Sequence, residues 1–141
     1  MTTVILLIFS RALCAAPAEV AFKNPGFEES AKTHANWEMY PGSAITCAID
    51  TTNPHSGRHC LVFTNMVEST TLENIARFQQ WIGVLAGTRY ELTVWIRGED
   101  VHPGNFFTDW NNFKIEIPPG TYGWKKLTAP IYFQNHLSWI N

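Results

Sequence analysis

The stretch Arg89-Tyr90-Glu91-Leu92-Thr93-Val94-Trp95-Ile96-Arg97 alternates strictly between apolar and polar residues. A period of two is the signature of a strand with one buried face, so Tyr90, Leu92, Val94 and Ile96 are expected to face a core. Other strand-like runs flank it: Ala44–Ile49, Arg58–Thr64, Ile75–Ile82, Phe113–Ile117 and Lys125–Phe133. A short first strand is expected over Val20–Lys23. Turn signals separate these runs: Pro41-Gly42, Asn53-Pro54, Ala86-Gly87-Thr88, His102-Pro103-Gly104 and Pro118-Pro119-Gly120. No segment carries sustained helical periodicity with caps. Short strands at regular spacing predict an all-β sandwich or barrel. Met66–Glu73 and Gly98–Asn112 read as long loops, where binding groups commonly sit.

A chain of 141 residues fits one domain with a core of its own. Its net charge of -2 offers no attraction to polyanions, which argues against nucleic acid as a partner. Charged residues are scarce at 16%, while aromatic residues reach 13%, with six Trp and nine Phe. Such a balance suits a bulky core or a surface that stacks ligands. The first residues differ in character. The apolar run Val4–Phe9, followed by the small residues Ala15-Ala16-Pro17-Ala18, reads as a secretory leader over residues 1–18, cut after Ala16 or Ala18. It is too short to span a membrane, and the expected location is secreted or periplasmic. Residues 19–141 are then the domain, with Cys47 and Cys60 on consecutive strands, either bridged or two small buried thiols. The final Ser138-Trp139-Ile140-Asn141 reads as the start of another strand, so the sandwich is expected to lack its last strand and to belong to a longer protein.

Several phrases, in order, point to a family. Asn24-Pro25-Gly26-Phe27-Glu28 with Trp37, then His55-Ser56-Gly57-Arg58-His59-Cys60-Leu61, then Leu85–Arg97, then Gly123-Trp124-Lys125-Lys126-Leu127 together resemble carbohydrate-binding modules of families 4, 9 and 22. The resemblance runs from about residue 20 to 133. It implies a galactose-binding-like jelly-roll, appended to a secreted polysaccharide-active enzyme such as a glycoside hydrolase. It also implies a structural calcium site near the Gly-Phe-Glu phrase, where Glu28 is the matching carboxylate and backbone carbonyls near Gly57 and Arg58 are its neighbours. The family's last strand normally closes that site with an Asp, and the chain stops before one.

A surface that holds sugar needs flat rings for the C–H faces of a pyranose and planar polar groups for its hydroxyls. On the strand around Trp95, the face opposite the core carries Arg89, Glu91, Thr93, Trp95 and Arg97. On the preceding strand, Phe78, Gln80 and Ile82 take one face and Arg77, Gln79 and Trp81 the other. Trp81 and Trp95 are therefore expected to form a stacking platform on neighbouring strands. Arg77, Gln79, Glu91 and Arg97 are its hydrogen-bonding partners, and Trp110, in Asp109-Trp110-Asn111-Asn112, is a further contact. Trp37 and Trp124 read as structural.

Catalytic patterns are thin. His55-Ser56-Gly57 lacks the Gly two residues before Ser that a nucleophile elbow needs, because Pro54 stands there. His34, His55, His59, His102 and His136 show no zinc spacing and read as turn or surface residues. Paired carboxylates for glycoside cleavage cannot be assigned by spacing. The leading expectation is a non-catalytic module that binds a polysaccharide or oligosaccharide. A sandwich that packs on a catalytic domain without holding sugar, and a small lyase or hydrolase, are the alternatives.

Overall fold

The computed structural model describes residues 2–12, 22–29, 35–40, 45–65, 77–108, 114–133 and 137–140. The described residues form ten strands and no helix: β1 (Thr2–Ala12), β2 (Glu38–Tyr40), β3 (Ile45–Asp50), β4 (Cys60–Asn65), β5 (Arg77–Gly83), β6 (Thr88–Val101), β7 (Phe106–Thr108), β8 (Lys114–Glu116), β9 (Gly120–Phe133) and β10 (Leu137–Ile140). A five-stranded sheet has the order β3-β4-β1-β6-β9, a three-stranded sheet the order β10-β5-β2, and β7 pairs with β8. Every pairing is antiparallel. The all-β expectation therefore holds.

The alternation in β6 sets the core. Tyr90, Leu92, Val94 and Ile96 are fully buried, as is Leu61 of β4. From β5, Phe78 and Ile82 join the same buried cluster, and Phe63 of β4 meets Phe78 edge-on with ring centroids 5.9 Å apart. The two larger sheets thus share one core through their inner side chains, and burying so many aliphatic and aromatic groups is the main stabilising term. An aromatic stack closes one end. Trp37 lies face to face with Phe78 at 4.4 Å and with Phe22 at 5.7 Å, and Phe27 tilts against both Trp37 and Phe78. The structural reading of Trp37 holds.

The Asn24–Phe27 turn is held by its own side chain. Asn24 takes a positive φ of 49° and its carbonyl accepts from Phe27 N–H at 3.1 Å and from Trp37 Nε1 at 3.1 Å. Its side-chain amide donates to Ala35 O and accepts from Glu29 N–H. Buried Gln80 ties this region to β5: it accepts from Lys23 N–H at 2.7 Å and donates to Lys23 O at 2.9 Å and Asn36 O at 2.8 Å. Phe22 and Lys23 lie outside any strand, so the expected first strand is not formed there.

Residues 2–12, within the stretch read as a leader, form β1 in the middle of the five-stranded sheet, between β4 and β6. The expected loop over residues 98–112 instead continues β6 to Val101 and forms β7. Cys47 and Cys60 are not bridged to each other, the second of the two readings: Cys47 is the register partner of Phe63 and Cys60 that of Asp50, so the two lie on different rows. The start of a further strand at the chain's last residues is present as β10.

Candidate functional site

β2 and β5 run antiparallel with Glu38 opposite Gln79 and Tyr40 opposite Arg77. Trp37, just before β2, and Met39 turn inward, and Glu38 and Tyr40 turn out. In β5, Phe78, Gln80 and Ile82 are buried, Gln79 is buried as well although it lies on the outer side, and Trp81 is 55% exposed. The outer face of the three-stranded sheet thereby gathers Trp81, Tyr40, Glu38 and Gln79. Tyr40 is 46% exposed. Glu38 is the organising group: its Oε2 accepts from Tyr40 Oη at 3.2 Å and from Gln79 Nε2 at 2.8 Å. Its other oxygen, Oε1, has no hydrogen-bond partner among the described residues. An exposed indole, an exposed phenol and a carboxylate held in place by two donors form a surface that can stack on a flat apolar face and accept from hydroxyls beside it. Trp139 of β10 is the backbone register partner of Trp81.

The expected Trp81–Trp95 platform is not formed. β5 pairs with β10 and β2, whereas β6 pairs with β1 and β9, so the two strands belong to different sheets. Because the sheets share a core, their outer residues turn away from it in opposite senses. The physical reason lies in the connection: the Leu85–Thr88 turn, closed by Thr88 N–H to Leu85 O at 3.3 Å, joins the two sheets and is not a hairpin within one. Trp95 is also covered. The ring of His55 lies on it with centroids 4.0 Å apart and 24° between planes, and His55 meets Trp124 edge-on at 5.3 Å. His55 is therefore half-buried and is not the plain surface residue the sequence suggested. Glu91 and Arg97 accompany Trp95 on β6, each partly buried, and Arg97 Nη1 is buried with no hydrogen-bond partner among the described residues. Of the expected sugar contacts, only Trp81 and Gln79 are brought together in the described face. Arg77 contributes its backbone position opposite Tyr40, and its side chain lies outside the described residues, as does Trp110.

Comparison with protein-family models, curated proteins and solved structures finds no match.

The loop over Trp95 is fastened by Glu28. Its Oε1 accepts the backbone N–H groups of Arg58 at 2.8 Å and His59 at 3.0 Å. Its Oε2 lies 3.8 Å from Arg58 Nε and 3.2 Å from His59 Nδ1, the latter outside hydrogen-bond geometry. Gly57, at φ +67°, gives the carboxylate room, since a Cβ there would collide with it. Burial pushes the Glu28 pKa up, but the two backbone N–H groups and the charges of His59 and Arg58 outweigh it and hold the pKa below the ordinary value. At the other end of the loop, Asp50 accepts from Thr52 N–H at 3.0 Å. Burial raises its pKa too, and the Thr52 bonds and the Arg97 charge bring it below the usual range.

Calcium needs several oxygen ligands. The neighbours of the Glu28 carboxylate in this structure are donors, and among the described residues no group of three or more His, Cys, Asp or Glu side chains could hold a metal ion. As arranged, Glu28 serves as a clamp on the 57–59 backbone.

Sequence reasoning missed Glu38 and Tyr40. A signal for them existed: Trp37-Glu38-Met39-Tyr40 alternates apolar and polar, and the strand it makes is only three residues long.

Proposed function

We propose that this chain is a non-catalytic carbohydrate-binding module that holds a polysaccharide or oligosaccharide on the outer face of the β10-β5-β2 sheet. The observation that carries the reading is that exposed Trp81 and exposed Tyr40 share one sheet face, four positions apart in the β2–β5 register, with the Glu38 carboxylate fixed between Tyr40 and Gln79. Trp81 stacks on the C–H face of a pyranose ring. Glu38 Oε1 accepts from its hydroxyls. The phenol of Tyr40 extends the apolar surface along the strand direction. A carboxylate already held by two donors loses little freedom on binding, which favours affinity from a small contact. The jelly-roll form of the sandwich belongs to the same proposal, as do export and fusion to a polysaccharide-active enzyme, whose local concentration at its substrate the module raises.

The test is affinity electrophoresis of the intact chain through gels containing xylan or soluble glucans. Trp81→Ala abolishes the retardation seen with the unaltered chain, Tyr40→Ala weakens it, and Trp95→Ala, under its His55 cover, leaves it in place. Retardation that survives Trp81→Ala, or none with any polysaccharide, refutes the reading and leaves a structural sandwich.

A further inference from the structure

The loop that joins β3 to β4 lies over a cluster of buried polar atoms. Most of this loop is exposed, from Thr51 to Asn53 and from Ser56 to Arg58, while His55 turns back onto the outer face of the five-stranded sheet. Three side-chain atoms around it are buried with no hydrogen-bond partner among the described residues: His55 Nδ1, Arg97 Nη1 and Trp124 Nε1. Two further atoms share that condition but lie elsewhere: Tyr122 Oη, whose ring packs on the core over Gly98, and His59 Nδ1, beside Glu28. Leaving a buried donor unpaired is costly, and folded proteins do it rarely.

The three side chains are neighbours. Arg97 and Trp95 stand two apart on β6 and share its outer face. The β6–β9 register shifts between Ile96, opposite Lys125, and Gly98, opposite Tyr122, so Arg97 alone faces both Gly123 and Trp124. An irregularity of this kind re-aims the side chains beside it. The His55 ring closes the circuit, with its centroid 4.0 Å from that of Trp95 and 5.3 Å from that of Trp124.

The chemistry of these atoms selects what can join them. Guanidinium and indole N–H groups donate and never accept. Asp50, whose carboxyl the Arg97 charge holds down, is already engaged by Thr52. Its Oδ1 accepts the Thr52 N–H at 3.0 Å and hydroxyl at 2.9 Å, and its Oδ2 accepts the same hydroxyl at 2.7 Å. A water would bring two hydrogens to a cluster whose sole acceptor is a neutral imidazole nitrogen. An anion brings none. Arg97 and the exposed Lys126, register partner of Trp95, set their positive charges against the negative charge of Asp50.

We infer that Arg97, Trp124 and His55 form a binding site for a small monovalent anion of halide size, enclosed under the β3–β4 loop, with Arg97 Nη1, Trp124 Nε1 and His55 Nδ1–H as its donors. The bound ion ties that loop to β6 and β9. The site lies on the other sheet from Trp81 and Tyr40 and stands whether or not that face holds sugar.

The test uses the full chain at constant ionic strength, with chloride replacing gluconate, an anion too large to be enclosed. Chloride raises the urea midpoint along a saturating curve. Arg97→Met abolishes that response. Trp124→Phe keeps a ring beside His55 but removes the N–H, and half-saturation moves roughly tenfold higher, the effect of one lost hydrogen bond to a charged group. Arg58→Gln, which removes an exposed cation of the same loop, leaves the response unchanged. Iodide reads the site in the unaltered chain alone, so the test survives a variant that does not fold: its quenching of Trp fluorescence saturates, and chloride relieves it. A midpoint equal in chloride and gluconate would mean that water completes the cluster, and overturns the site. Iodide quenching that rises linearly and ignores chloride, or a chloride response undiminished in Arg97→Met, overturns it as well.

Discussion

Replacing Glu28 by Ala removes the acceptor for two backbone N–H groups, at 2.8 and 3.0 Å, and one partner of His59 and Arg58. Hydrogen bonds to a charged group contribute roughly 1.5–3 kcal/mol each. The Glu28 side chain is 38% exposed, so water replaces part of what is lost and solvent screens the charge. A net loss of about 2 kcal/mol follows from these two considerations, equivalent to a fall in Tm of roughly 4–8 °C for a chain of this size. The pH dependence carries a sign. The folded pKa of Glu28 is lowered from 4.5, so the carboxylate's contribution is fully present above the unfolded value and disappears as pH falls through the folded one. Urea denaturation followed by Trp fluorescence should therefore show a gap between the unaltered chain and Glu28→Ala at pH 7 that narrows as the pH drops below 4.5. Chelator should leave the unaltered chain's Tm where it was. A gap that persists undiminished at the acid end would refute the clamp, and a chelator-dependent fall in Tm would make Glu28 a metal ligand instead.

Three further outcomes are expected. Gln80→Leu keeps bulk in the core but strips Lys23 N–H, Lys23 O and Asn36 O of their partner, costing roughly 2–3 kcal/mol; an unchanged urea midpoint would show that this amide holds nothing. Gly98→Ala sets a Cβ 2.5 Å from Val101 Cγ2 and 2.6 Å from Tyr122 Cζ, at a register shift between β6 and β9. It should destabilise by about 1–3 kcal/mol, and a Tm equal to that of the unaltered chain would count against the close approach. Burial pushes the Cys47 thiol up to about 12 and the Cys60 thiol up to about 11, with Asp50 adding to the latter. Both should react slowly with a disulfide reagent at pH 8 and promptly once guanidinium unfolds the chain; fast reaction of the folded protein would contradict the burial.

Local alternation was legible and tertiary placement was not. The runs read at 44–49, 58–64, 75–82, 89–97, 113–117 and 125–133 correspond to β3, β4, β5, β6, β8 and β9, because one-sided burial writes a period of two into each. The same rule placed Trp81 and Trp95 correctly on the outer faces of their strands. It could not tell that β5 and β6, adjacent along the chain, sit in different sheets. Nor could it foresee that His55, forty residues away in sequence from Trp95, would lie over that ring. β1 was unreadable for the opposite reason: an unbroken apolar run has no face, and its composition matches a leader as well as a buried strand. Glu38 and Tyr40 were passed over because a three-residue strand is too short for periodicity to stand out.

Adjacent residues of β5 look in opposite directions, and one of them is anchored from behind. Gln80 is pinned to the Lys23 and Asn36 backbone by three hydrogen bonds, so the peptide unit that carries Trp81 cannot swivel freely. The indole is thus presented like a tile set in mortar, with its orientation fixed by the interior. A visitor meeting such a tile finds a landing place whose angle was decided during folding, and selectivity among visitors becomes a matter of their shape rather than of the protein's adjustment.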